Sequence, residues 1–195
     1  AAAAYRAEEG FRVVGVTFLM WEAEAGGARS RQAAQRAALA AQRLGIEHRS
    51  VVLRERFLSE VVEPFAREYL RGRTPNPCVE CNRRVKFPAL AEVADKLGVE
   101  HIATGHYARL RTEEGGRIAL LWAASREKDQ SYALYAVRRE HLGRCLFPDG
   151  ERGKEEVRRM AASRGIDFAG RGESQEICFL CGEDYRGFLA RWYPE

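Results

Sequence analysis

The chain has 195 residues, and 32 Lys and Arg against 28 Asp and Glu leave a net charge of +4. Hydrophobic residues at 46% and charged residues at 31% exclude a disordered chain, and no apolar run approaches the ~20 residues that span a bilayer. The mildly basic balance permits a nucleic-acid partner without requiring one, and residues 1–9 lack the cationic and apolar regions of a secretion signal, so a cytoplasmic location is expected.

Residues 1–9 (AAAAYRAEE) favour helix and close on Gly10. Residues 12–20 (RVVGVTFLM) form a β-branched apolar run of strand length. A loop with Gly26 and Gly27 is expected over 22–29, then a helix over 30–44 with Ser30 as N-cap and Gly45 at its end. A second strand over 46–53 and an amphipathic helix over 55–70 follow. Residues 72–77 (GRTPNP) read as a break, because two closely spaced prolines exclude helix and sheet ladder. A helix from Val79 to Leu97 ends at Gly98, and a short strand over 100–104 runs into Gly105 and His106. This order predicts an open α/β fold with a mainly parallel sheet and helices on both faces. Ligands of such folds sit beyond the carboxyl ends of the strands, here 18–21, 53–55 and 105–107. Further on, residues 113–117 (EEGGR) read as a hairpin turn, 127–135 and 154–164 as short helices, 165–174 as a mobile loop, and 185–192 as a closing helix.

Five cysteines are too few for a disulfide scaffold, but four form two CxxC pairs, Cys78/Cys81 and Cys178/Cys181. The first pair lies in GRTPNPCVECNRRVKF, where Arg73, Arg83, Arg84 and Lys86 face one carboxylate, Glu80. A thiol at a helix N-terminus beside arginines is expected to have a lowered pKa, and thiolate is both nucleophile and metal ligand. The same cations suit phosphate contacts. The plainer reading is half of a structural zinc site. The two pairs together make a four-cysteine set, though 96 residues separate Cys81 from Cys178. Cys145, in RCLFP, reads as a small buried hydrophobe. ATGHY ends a strand with a glycine that admits a ligand to the backbone and with His106, a proton donor or acceptor. KDQSY is a dense polar cluster suited to phosphate or base edges.

NPCVECN with KF, then ATGHYAR, KDQSYALY, LFP and ESQEICF occur in the order found in the tRNA-specific 2-thiouridylases, which this chain resembles from about Phe11 to Tyr193. The resemblance implies an adenine-nucleotide-hydrolase-like α/β domain over 1–178 and the start of a central tRNA-binding domain over 179–195. It implies an enzyme that uses ATP and Mg2+ to adenylate the C2 oxygen of the wobble uridine, which sulfur then displaces. By position, Cys178 matches the cysteine that takes persulfide sulfur from a relay donor protein, and Cys81 matches the nucleophile that frees it by pairing with Cys178. Asn76, Pro77 and Cys78 match the segment that meets the target base. His106, Lys128, Asp129 and Gln130 match tRNA contacts, and Phe18 and Gly105 match ATP contacts.

The family's phosphate-binding SGGVDS is not in this sequence. The chain therefore reads as a fragment lacking the first strand, the phosphate loop and the C-terminal barrel, and is expected not to hydrolyse ATP alone. Some members have Asp where this chain has Cys78, which opens an alternative without persulfide: an iron–sulfur cluster on Cys78, Cys81 and Cys178. A third reading is a non-catalytic RNA-binding module clasped by zinc through both CxxC pairs.

Overall fold

The computed structural model describes residues 3, 7, 9–21, 24–166 and 177–194, with only the backbone of 24–29. The expected opening helix and the 165–174 loop therefore fall largely outside the described residues.

Strand β1 (Val14–Leu19) and strand β2 (Glu47–Val52) pair in parallel from Val14 opposite Glu47 to Leu19 opposite Val52. Helix α1 (Glu24–Arg43) connects them and packs on both. It starts where a loop was expected. Gly26 and Gly27 each cost a helix only about 1 kcal/mol relative to alanine, and the following turns carry them. Ser30 is accordingly not a cap: its hydroxyl donates to the Trp21 carbonyl at 2.9 Å.

Helix α2 spans residues 54–70 as Arg54–Phe57, a π-helical turn Leu58–Val62, and Glu63–Leu70. Helix α3 spans 77–97 in the same way: Pro77–Glu80, the π-helical Cys81–Lys86, and Phe87–Leu97. Pro77 does not break this helix but opens it, since a first-turn proline lacks only an N–H that would be unpaired anyway. Asn76 caps it, its Oδ1 accepting from the N–H groups of Cys78 at 3.1 Å and Val79 at 3.3 Å. Gly98, with φ of 62°, ends it as expected.

Strand β3 (Ile102–Ala103) is shorter than predicted and pairs in parallel with β6 (Cys145–Leu146). Strands β4 (Ala108–Thr112) and β5 (Ile118–Trp122) form the antiparallel hairpin expected around 113–117. Residues 126–128 and 131–133 are two 3-10 turns rather than one helix. Short α4 (Arg139–Leu142), α5 (Lys154–Ala162) and α6 (Tyr185–Trp192) complete the chain. The architecture is α/β, as predicted, but among the described residues its parallel strands form two pairs not hydrogen-bonded to each other. A groove of about 400 Å3 runs between them, lined by Val14 and Val16 of β1, Ile102 of β3, and Leu90 and Leu97 of α3.

Two cores share helix α3. Its first half puts Cys81 and Val85 among Trp21, Phe57, Phe65, Phe179 and Phe188, so residues on both sides of the expected 178/179 boundary pack together. Its second half puts Phe87, Ala91 and Ala94 among Ile102, Leu134, Cys145 and Phe147. The π-helical turn lies where the buried face changes partners, a place where such turns re-aim side chains. No described helix is long and apolar enough to cross a membrane.

Candidate functional site

The thiols converge on the first core. Cys81 is 4% exposed on α3, beneath aromatic rings. Residues 177–181 lay Ile177, Phe179, Leu180 and Cys181 against the same core. Phe179 anchors them, its ring centroid 5.0 Å from Phe65, 5.3 Å from Phe188, 5.9 Å from Phe57 and 6.1 Å from Trp21. Segments separated by 96 residues are thus held together by apolar burial. Cys78 is exposed at the start of α3, and Cys178 keeps an exposed outer side. Cys78, Cys81 and Cys178 lie close enough for the charge of one to act on the next. Cys181 is half-buried in a left-handed turn with φ of 55°, its thiol donating to the Cys178 carbonyl at 3.6 Å.

The expected low-pKa Cys81 is not found. Burial pushes its thiol up to about 11, and only Lys86 pulls the other way among the cations. The arginines nearby are spent on surface pairs. Arg73 meets Glu68 at 3.1 Å, Arg83 meets Glu80 at 3.7 Å, and Arg84 bonds Glu80 at 2.6 Å and Glu60 at 3.2 Å. Cys81 also stands a full turn inside the helix, away from the unpaired N–H groups of its first turn. Protein atoms crowding the Cys178 sulfur push that thiol up too, again opposed by Lys86. Both thiols are protonated at rest. Among the described residues no three His, Cys, Asp or Glu are grouped to hold a metal ion. Neither the three-cysteine cluster set nor the four-cysteine zinc clasp is therefore assembled here. Cys145 is a buried hydrophobe as read, its thiol donating to the His141 carbonyl at 3.0 Å and pushed up to about 12 by burial.

Three motif segments join beside the thiols. Asn82, 2% exposed, donates from Nδ2 to the Ala133 carbonyl at 2.9 Å, tying α3 to the second 3-10 turn. Gln130 donates its N–H to the Tyr107 carbonyl at 2.8 Å and accepts the Tyr107 N–H on Oε1 at 3.0 Å. Asp129 accepts the Ala123 N–H on Oδ1 at 2.7 Å and the Ser131 hydroxyl on Oδ2 at 2.7 Å. Asp129 and Gln130 therefore hold this loop in shape, while Tyr132 and Tyr135 stand exposed on it. Residues Asn76 and Pro77 line a second groove together with Tyr135, Arg67 and Arg71.

His106 is half-buried, its Nδ1 paired with the Thr104 hydroxyl at 2.8 Å and its ring stacked on Phe87 at 5.9 Å. Burial, aided by Lys86, pulls its pKa down to about 4, so it is neutral at physiological pH. Gly105 lies exposed at the carboxyl end of β3; a Cβ there would come within 3.2 Å of Asp149 Oδ2. Its open backbone at this strand end suits a nucleotide contact. Phe18 lies near the carboxyl end of β1, opposite Val51.

Sequence reasoning counted Lys86 as one of four cations without singling it out, and missed two further groups, Asn82 and Asp149. Lys86 is the cation that acts on Cys81, Cys178 and His106. Asn82 is a buried polar residue whose Oδ1 has no hydrogen-bond partner. Its position three residues after Val79 and three before Val85, on the apolar face of α3, was a readable signal. Asp149, 7% exposed beside Gly105, is an acid whose pKa burial raises.

A sequence model of the family described as the tRNA methyl transferase HUP domain matches residues 1–182. Among curated relatives, the tRNA-specific 2-thiouridylase MnmA of Pelotomaculum thermopropionicum is 46% identical over 195 residues, covering 96% of this chain and 53% of the relative. The protein of the same name from Heliobacterium modesticaldum is 44% identical over 199 residues, covering 99% and 52%. That from Syntrophotalea carbinolica is 47% identical over 191 residues, covering 97% and 54%. The chain spans about half the length of the curated relatives it matches.

Proposed function

Because this chain belongs to the tRNA methyl transferase HUP domain family, we propose that it is the thiol-bearing part of a tRNA 2-thiouridylase, acting on the wobble uridine. The family description names methyl transfer and the relatives' names thiolation. The thiols favour sulfur: the observation that carries the reading is the packing of residues 177–181 on the core that buries Cys81.

In this reading Cys178, with its exposed outer side, takes a sulfane sulfur from a relay donor protein. Cys81 then attacks the Cys178 sulfur, forming the Cys81–Cys178 disulfide and releasing the outer sulfur as hydrosulfide for the uridine C2. Since Cys81 rests as a thiol at about 11, substrate binding must expose it or bring a base before it attacks. That holds the nucleophile in reserve until RNA is present. Asn76, Pro77 and Cys78 meet the target base, and His106 and Lys128 face the tRNA. Asp129 and Gln130 act by shaping the loop that carries Lys128, a role supported by their backbone bonds. ATP with Mg2+ supplies the adenylate that makes the C2 oxygen a leaving group, and Phe18 and Gly105 would hold the nucleotide through backbone groups.

Loading the chain with a radiolabelled persulfide donor and then adding tRNA tests this. Label on Cys178, released as sulfide in step with Cys81–Cys178 formation and retained in Cys81→Ser, is the expected result. Label that leaves Cys81→Ser as fast as wild type overturns the assignment.

A further inference from the structure

The relay leaves Cys81 oxidised, and Cys81 is 4% exposed beneath an aromatic core. An external reductant has little access to that sulfur and reaches the pair only at the exposed Cys178, the sulfur that must be free to accept from the donor in the next cycle. Cys78 is the exposed thiol one turn earlier on the same helix. Residues three apart on an α-helix have Cα atoms about 5 Å apart, inside the roughly 4.4–6.8 Å that a disulfide spans. Asn76 fixes this turn by accepting from the Cys78 and Val79 N–H groups.

Resting on the sulfur relay above, we propose that Cys78 is its resolving thiol, attacking Cys81 in the Cys81–Cys178 disulfide to give a Cys78–Cys81 disulfide and release Cys178. One S–S bond forms and one breaks. The proton that Cys78 loses is taken up by the departing Cys178 thiolate, so this exchange is not itself a net oxidation. A dithiol reductant then supplies two electrons to the Cys78–Cys81 bond at its exposed Cys78 sulfur and leaves as its own disulfide. A disulfide that blocks the sulfur-accepting Cys178 is thereby exchanged for one that leaves it free.

Cys181 is the competing thiol. It is half-buried, its thiol is turned to the Cys178 carbonyl, and its backbone is held in a left-handed turn. Attack by Cys181 on Cys178 would also keep the sulfur-accepting cysteine blocked, whereas attack by Cys78 on Cys81 frees it.

Disulfide mapping tests this on the full chain without requiring thiolation. The reduced chain, with tRNA added to uncover Cys81, is oxidised with limiting diamide, quenched in acid, alkylated and cut with trypsin. Residues 74–83 carry Cys78 and Cys81, and residues 172–186 carry Cys178 and Cys181. The expected product is an internal bond in 74–83 that exceeds the cross-link between the two peptides by about tenfold. In Cys78→Ser the cross-link through Cys81 and Cys178 takes its place. A wild-type cross-link as abundant as in Cys78→Ser, or a Cys178–Cys181 bond, overturns the role of Cys78 and leaves the relay standing. Absence of the cross-link in Cys78→Ser defeats the pairing of Cys81 with Cys178, and the resolving step with it.

Discussion

Helix α3 carries two buried titratable neighbourhoods, and they are built on opposite principles. Around Cys81, aromatic rings from Trp21 just past β1, from α2, from α6 and from the 177–181 segment meet. Around His106, a smaller apolar core is laced with hydrogen bonds: Thr104 to the imidazole, Gln130 to Tyr107, and Asn82 to Ala133. Burial drives each group to its neutral form, Cys81 up to about 11 and His106 down to about 4. The contrast is one of precision against reserve. Hydrogen bonds fix the 129–135 loop in one shape, whereas non-directional packing keeps the Cys81 thiol covered.

The largest effect that breaks this comparison is expected from Phe179→Ala. Phe179 touches four aromatic rings, and truncating such a buried ring costs about 3–5 kcal/mol. Denaturant unfolding measures the loss, and maleimide labelling of Cys81 in the folded state is expected to quicken as its cover loosens. Unchanged stability and labelling would show that residues 177–181 do not cover Cys81.

The two neighbourhoods are next told apart at opposite ends of the pH scale. His106 falls from the ordinary 6.5 to about 4, so below pH 6.5 the unfolded chain takes up a proton that the folded chain refuses. Stability from this group is complete above pH 6.5 and is lost as pH drops towards 4, by at most about 3 kcal/mol. Cys81 rises from the ordinary 9.0 to about 11. Its unfolded form ionises first, so its stability is complete below pH 9 and is lost as pH climbs towards 11. The difference between wild type and His106→Gln is expected to carry only the acid limb. That between wild type and Cys81→Ala is expected to carry only the alkaline one. A flat His106→Gln difference would remove the buried imidazole from the account.

Asn82→Ala gives a smaller effect. It leaves the Ala133 carbonyl without its buried donor, which costs about 1–3 kcal/mol. Hydrogen exchange is expected to quicken first over residues 131–135, with the Cys81 core protected as before. Uniform loosening of both regions would mean that the two cores are one cooperative unit.

Much of this arrangement was readable beforehand because it depends on spacing. The strand–helix order, the hairpin at 113–117, Gly98 as a stop and the closing helix all follow from periodicity and turn chemistry. The failures have a common cause, the direction in which a side chain points. Asp129 and Gln130 are polar letters in a polar motif, yet they turn inward to backbone groups. The glycines at 26 and 27 looked like a loop because their local cost is visible in the sequence and the support of a whole helix is not. Asn82 was hidden by its neighbour Cys81, although it interrupts an otherwise apolar face.

The smallest predicted effect concerns the cations, where counting along the sequence went furthest astray. Arg83 and Arg84 lie two and three residues after Cys81 in sequence but end in ion pairs with Glu80 and Glu60 at the surface. Exposed pairs of this kind are solvent-screened and act weakly at a distance. Lys86, half-buried on the same turn, is the cation that lowers the Cys81 pKa against burial. At a fixed alkaline pH the alkylation rate follows the thiolate fraction. Lys86→Gln is therefore expected to slow Cys81 alkylation about two- to fivefold, and Arg84→Gln to change it by less than about twofold. Equal slowing by both variants would return the arginines to the site and restore the reading that charge count alone suggests. Slowing by Lys86→Gln alone would show that burial selects which nearby charge a thiol feels.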